Sequence, residues 1–311
     1  MDLKSYFDGF PPKVRRYAVV GWPLSHTLSP AMHNAAIRAF GLNAVYRAVS
    51  VDPKEWEKFL SQADGLLQGF NVTVPYKERV AEWSRLASQV PPVYSSSPWS
   101  EIGAVNTLLR TSLGWEAHNT DVEGFFEDCA SLGISFQKSQ VLLIGSGGAA
   151  RAILLGFGFH GRERPASLYL TDVFQNKANL LAEDARVLIE DFPISVVPSG
   201  DDVVKSADIV INATPVGLKP GDPSPVDLSS LRPGAVVYDL IYHRETAFRL
   251  AARARGAADH GGLGMLVRQG ALAFELWFGE ELKDKAGYSP AGLRRIMGDA
   301  ARTAMKERGK S

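Results

Sequence analysis

A chain of 311 residues has room for two domains, and its 45% hydrophobic and 22% charged content is that of an ordinary folded protein with a sizeable core. Lys+Arg and Asp+Glu stand at 34 each, so no global field draws the chain to nucleic acid or to an anionic membrane. The single cysteine, Cys129, excludes an intrachain disulfide and a thiolate-rich metal site; with no signal pattern at Met1–Ser5 and no apolar run of ~20 residues, the expected location is the cytoplasm.

Up to about residue 16 the pattern is that of an added helical or irregular arm. Tyr17 to Val20 is a short apolar strand closed by Gly21-Trp22-Pro23. A helix opens at Ser29-Pro30 and ends near Gly41. Val45 to Val51 is a strand, 53–63 a helix and Phe70 to Val74 a strand, and a further helix begins at Pro75. Such alternation argues for parallel strands joined by helical crossovers. Residues 91–100 form a Pro/Ser-rich surface loop. Ile102 to Thr107 precedes a hairpin whose second strand leads to His118-Asn119-Thr120-Asp121.

A helix from Asp121 to about Leu132 carries Cys129 as a small buried residue and bridges into a second unit. That unit has strands at 141–144, 167–172, 194–197, 208–213 and 235–241, with helices at 148–158 and 175–189. Pro215 to Pro233 is a Pro- and Gly-rich loop at a strand's C-terminal end, where open α/β sheets place ligands. Two last helices, about 264–278 and 289–308, come too late for this alternation and are expected to return to the first domain. The charges from Lys306 to Lys310 read as a solvated helix end.

Val141 to Ile144 runs directly into Gly145-Ser146-Gly147-Gly148-Ala149-Ala150 and then an apolar helix. In this strand, G-x-G-x-x-A, helix arrangement, Gly145 permits a tight turn and Gly147 lets the backbone approach a pyrophosphate. Ala150 keeps the helix close to the sheet, and the free N–H groups at the helix start, from Gly148 and Ala149 on, face the anion. The second strand ends in an acid, Asp172, which can accept from ribose hydroxyls and would repel a 2′-phosphate; the first cation after it is Lys177. Taken alone, Asp172 is an acid that caps a turn; in this context these residues point to NAD rather than NADP. The expected fold class is α/β: a Rossmann dinucleotide-binding domain, 122–258, inserted in an α/β substrate domain made of 1–121 and 259–311.

Polar residues collect at strand ends in the remainder. Ser29 before Pro30 is an ordinary N-cap arrangement when taken alone. Phe70-Asn71-Val72-Thr73-Val74-Pro75-Tyr76-Lys77 alternates and then starts a helix, with Lys77 opposed to the macrodipole: an ordinary solvent-facing lysine when taken alone, and suited to an acid/base role if it lies inside a cleft. Thr120 and Glu123 fit a capping box that would leave Asp121 an ordinary first-turn acid. Gln269 alone is a surface residue. Their joint occurrence is not explained by capping. The six histidines lack ligand spacing, and no metal site is expected.

Together these stretches resemble the shikimate dehydrogenase family, including its quinate/shikimate members. The resemblance runs from Val20 to about Phe278 through Gly69–Lys77, Gly103–Thr107, Asn119–Asp121, Asn212–Pro215 and Gly262–Gln269. It implies reversible oxidation of shikimate to 3-dehydroshikimate, with hydride exchanged with a nicotinamide cofactor. It implies Lys77 and Asp121 as the catalytic pair, and Thr27, Ser29, Asn71, Thr73, Asn106, Tyr242 and Gln269 as substrate-binding residues. Thr214 and Gly262 join the glycine loop and Asp172 on the cofactor side. Thr27 stands where the family has a serine that helps hold the substrate carboxylate, and Asp172-Val173-Phe174 replaces the Asn-Arg-Thr of NADP-preferring members. A catabolic quinate/shikimate dehydrogenase and a non-catalytic metabolite sensor are the alternatives; retention of Lys77 and Asp121 argues against the sensor. The expected partner is a small-molecule substrate, and the chain a monomer or homodimer.

Overall fold

Runs of buried aliphatic residues set the two sheets of the protein, whose computed structural model describes residues 2–24, 27–86, 103–158 and 162–308. The loop expected at 91–100 lies outside these residues. The chain divides into two units, Met1–Thr120 with Val267–Ser311, and Asp121–Leu266. Among the described residues no helix is long and apolar enough to cross a membrane.

The first unit holds a five-stranded sheet in the order β2-β1-β3-β4-β5. β1 (Arg15–Gly21) is central and buried on both faces along Ala18-Val19-Val20, as a parallel strand covered by helices must be. It pairs in parallel with β2 (Ala44–Ser50) and β3 (Gly69–Val72). β3 then pairs antiparallel with β4 (Thr107–Thr111), and β4 with β5 (Gly114–His118). This topology puts the ends of β1 and β3, the start of β4 and the end of β5 on one edge. The register Asn71↔Thr107↔His118 fixes that edge residue by residue.

Helix α1 (Ser29–Ala39) starts with proline in its first turn, buries Met32, His33, Ala36 and Ile37 on one face and ends before Gly41, which takes φ +59. The helix expected at 53–63 divides into a 3-10 turn, Pro53–Glu55, and α2 (Trp56–Leu66), because the Asp52 carboxylate accepts from Lys54 N–H and closes the turn. α3 (Lys77–Leu86) begins two residues later than expected. Thr73 to Tyr76 closes as a turn first, with Tyr76 N–H donating to the Thr73 carbonyl at 2.9 Å. The arm before β1 contributes Leu3 and Phe7 to the core, against Trp56, Phe59 and Phe70.

The second unit opens with α4 (Asp121–Ser131), on which Cys129 is buried. Its strands are β6 (Gln140–Ile144), β7 (Ser167–Thr171), β8 (Ile194–Val196), β9 (Ile209–Asn212), β10 (Val236–Asp239) and β11 (Ala258–Gly261), all parallel, in the order β11-β10-β9-β6-β7-β8. Taken from β6 onward this is the doubly wound dinucleotide-binding order, with its switch point between β6 and β9. The helices are α5 (Gly148–Gly156), α6 (Gln175–Leu188), a short α7 (Asp201–Val204) and α8 (Ala247–Ala254). α9 (Leu263–Lys283) and α10 (Pro290–Arg308) end the chain.

From α9, Trp277 donates its indole N–H to the Leu108 carbonyl of β4 at 2.9 Å. Gly69 of β3 makes room for that ring, since a Cβ there would run into the indole. Gly69→Ala is therefore expected to destabilise the protein by about 1–3 kcal/mol through overpacking. Urea unfolding measures this, and an unchanged midpoint would show that the ring yields freely.

Candidate active site

The edge where β1, β3, β4 and β5 meet carries a continuous chain of buried hydrogen bonds. The Tyr46 hydroxyl donates to Asn71 Oδ1 at 2.6 Å and is also bonded to the Ser29 side chain. Burial pushes the Tyr46 phenol well above its usual pKa, so it stays a donor. Asn71 Nδ2 donates to Thr107 Oγ1 at 2.9 Å, and Thr107 Oγ1 to Asn106 Oδ1 at 2.9 Å. Asn106 Oδ1 accepts the Thr120 N–H at 2.8 Å, while its Nδ2 reaches Thr120 Oγ1 at 3.0 Å and Gln269 Oε1 at 3.5 Å. Thr120 Oγ1 stands 3.4 Å from the same Gln269 oxygen. A network of this kind fixes which face of each amide is presented, because a flipped amide would leave buried partners unpaired.

Four of the residues singled out from sequence, Ser29, Asn71, Asn106 and Gln269, thus share one network. Thr27 joins its edge, its Oγ1 accepting the Ser29 N–H at 3.2 Å. Thr73 is half-buried just past β3 and donates its N–H to the Val20 carbonyl at 2.8 Å. Lys77, half-buried, opens α3, and its carbonyl takes the Val105 N–H at 2.9 Å, which holds the start of α3 beside Asn106. Asp121, buried at the first position of α4, and half-buried Tyr242 belong to the second unit. Sequence reasoning misses Tyr46, a mid-strand tyrosine indistinguishable from a core residue. It also sets Thr120 in a capping box; its hydroxyl is in the network, and Glu123 pairs with Arg162 at 2.5 Å.

His33, one turn after Ser29 on α1, stacks on Tyr46 with centroids 4.1 Å apart and planes 6° from parallel. It is 1% exposed, and neither ring nitrogen meets a hydrogen-bond partner among the described residues. Burial lowers its pKa to about 3, so the ring is a neutral platform beneath the tyrosine.

In the second unit the switch point is built around the glycine loop. Gly145 takes φ +106, a conformation that favours glycine, and its N–H donates to the Thr171 carbonyl at 2.8 Å. Gly147 precedes α5, and a Cβ on it would meet nothing within 4 Å, so that face is open to a ligand. Gly148 and Ala149 start the helix, and Ala150 is fully buried under it. Thr214 folds back onto Asn212 Oδ1 through N–H, at 3.0 Å, and hydroxyl, at 2.7 Å. Gly262 lies so close to the Leu240 carbonyl that no side chain fits.

Asp172 follows β7, and its carboxylate is engaged by its own loops. Oδ2 accepts the Ser146 N–H and hydroxyl, each at 2.7 Å, and Oδ1 accepts the Phe174 N–H at 2.8 Å. Val173 and Phe174 beside it are exposed, and Lys177 Nζ stands 5.3 Å from the Phe174 ring centroid.

The chain is similar to known proteins along most of its length. The profile described as the shikimate dehydrogenase substrate binding domain matches residues 19–108, and that of the shikimate 5′-dehydrogenase C-terminal domain matches 262–285. The chain is 38% identical over 278 residues to a shikimate dehydrogenase (NADP(+)) of Microcystis aeruginosa, covering 86% of this chain and 93% of the relative. It is 38% identical over 285 residues to a protein of the same name from Methanothrix thermoacetophila, covering 91% and 97%. The crystal structure of shikimate 5-dehydrogenase from Thermus thermophilus in complex with NADP(H) and shikimate superposes with a TM-score of 0.74 at 32% identity, covering 93% and 99%.

These relatives correct one expectation. Asp172 favours NAD over NADP on sequence grounds, whereas both curated relatives are named for NADP. The physical reason lies in the loop: the carboxylate expected to accept from a ribose binds Ser146 and Phe174 and so shapes the glycine loop. An acid at the end of a second strand is therefore not a sufficient mark of NAD.

The buried histidine makes a pH prediction. With a folded pKa of about 3 against 6.5 for the free group, His33 takes up a proton only in the unfolded chain between those values. Stability is therefore lost as pH falls from 6.5 toward 3. Urea titrations over this range should show a shallower loss for His33→Phe than for the wild type; parallel curves would contradict it.

Proposed function

The chain belongs to the shikimate dehydrogenase family, and we propose that it catalyses the reversible oxidation of shikimate to 3-dehydroshikimate with NADP as its cofactor. It is an oxidoreductase of the two-domain, Rossmann-containing kind. The observation that carries the substrate reading is the buried network from Ser29 through Tyr46, Asn71, Thr107 and Asn106 to Gln269. Neutral hydroxyls and amides, already oriented, are complementary to a polyol, because a ligand lacking a hydroxyl leaves a buried partner unmatched. Thr27 and Ser29 face the other need of such a substrate, a carboxylate, at the start of α1 where backbone N–H groups favour an anion.

The second unit fits a dinucleotide. Gly145 at positive φ, the open face of Gly147 and the start of the nine-residue α5 suit a pyrophosphate. Gly148, Ala149, Ala150, Thr214 and Gly262 are assigned to the same side, and Lys177 is the cation that would meet a 2′-phosphate. The nicotinamide, when bound, takes or returns the hydride. Lys77 and Asp121 handle the remaining proton: it leaves the reacting hydroxyl as the carbon–oxygen bond becomes a carbonyl, and the lysine stabilises charge on that oxygen. Asp121 directly follows Thr120, so the network that orders Asn106 also anchors the acid's backbone. Thr73 and Tyr242 complete the substrate contacts.

The test is steady-state turnover with shikimate and quinate crossed against NADP and NAD, together with Lys77→Ala. The expected result is turnover of shikimate with NADP and a fall in kcat of roughly 10²- to 10⁴-fold for the variant, with an unchanged melting midpoint. Turnover of quinate alone, or a variant as fast as the wild type, would overturn this reading.

A further inference from the structure

Arg308, in the last turn of α10, donates from Nη2 to the Thr27 carbonyl at 2.9 Å, across 281 positions of sequence within the first unit. The first carbonyl of α1 to accept a helical bond is that of Leu28, from Met32 N–H at 3.1 Å, so the Thr27 carbonyl lies outside the helix and is turned to the arginine. The same Thr27 holds the Ser29 N–H through its hydroxyl. One guanidinium thereby fixes the segment that leads into Ser29.

The electrostatics give this contact a direction. A cation suits the C-terminal end of its own helix, where the macrodipole is negative. It does not suit the start of α1, the positive pole of an 11-residue helix. The Arg308 guanidinium and the positive pole of α1 meet beside Thr27 and the buried Ser29. Alone they repel; with an anion between them both contribute favourably.

We propose that Arg308 is a positioning residue for the substrate's carboxylate: it holds Thr27 and Ser29 in place and brings positive charge to that end of the site. The proposal rests on a shikimate-type acid being the substrate. Arg308 is exposed, so solvent screens it and its effect is on affinity rather than on chemistry.

The experiment uses the full chain with Arg308→Gln and Arg308→Lys, measuring kcat, the KM for NADP, and the KM for shikimate and for its methyl ester. Arg308→Gln is expected to raise the KM for shikimate by roughly three- to tenfold, with kcat and the KM for NADP within about twofold of the wild type. Arg308→Lys should recover part of the loss, added salt should narrow the difference, and the uncharged ester should show a smaller one. An unchanged KM for shikimate, or an equal rise for the ester, would overturn the role of Arg308. Wild-type turnover of shikimate separates the two readings: without it the assigned function fails, whereas turnover with an unshifted variant removes Arg308 alone.

Discussion

Asn71, Thr107 and Asn106 must hydrogen-bond one another, and much of the first unit follows from that requirement. All three are buried, and each carries polar atoms that would cost about 1–3 kcal/mol if left unpaired. They can meet only if β3 and β4 pair in the register Asn71↔Thr107, so the sheet and the site are specified together. The same bonds reach Tyr46 on β2 and Gln269 on α9, tying elements distant in sequence to one edge. Buried amides cost stability, and here they give a fixed polar surface in return. That surface is what a polyol can match and an apolar ring cannot.

The second unit is organised on the opposite principle, in which small residues make space. Gly145, Gly147 and Gly262 keep side chains away from the C-terminal ends of β6 and β10, while Ala150 lets α5 lie close to the sheet. Asp172 then stiffens the glycine loop through Ser146. The division of labour suits the proposed chemistry: one unit presents oriented donors and acceptors, the other leaves room at a helix start.

What can be read from sequence depends on whether a residue's neighbours are local. Val141 to Ile144 running into Gly145-x-Gly147 declares its own surroundings, because strand, turn and helix are contiguous, and the α/β class follows from such alternation. Ala258 to Gly261 and the Ala- and Arg-rich 247–254 carry no comparable signal. They form an edge strand and its helix without branched aliphatics in the strand, and sheet pairing rather than propensity decides them. Asp172 is visible, but the partner that determines its role, Ser146, comes from the end of another strand. Arg308 sits in a run of terminal charges that reads as solvated helix end; its acceptor, Thr27, is at the far end of the chain.

A preformed polar network of this kind selects a ligand by its hydroxyl groups. Isothermal titration of the whole chain with shikimate, and with analogues each lacking one ring hydroxyl, measures this without reference to turnover. Each deletion is expected to weaken binding by roughly ten- to a hundredfold, as buried partners are left unmatched. Equal affinity for shikimate and the deleted analogues would contradict it.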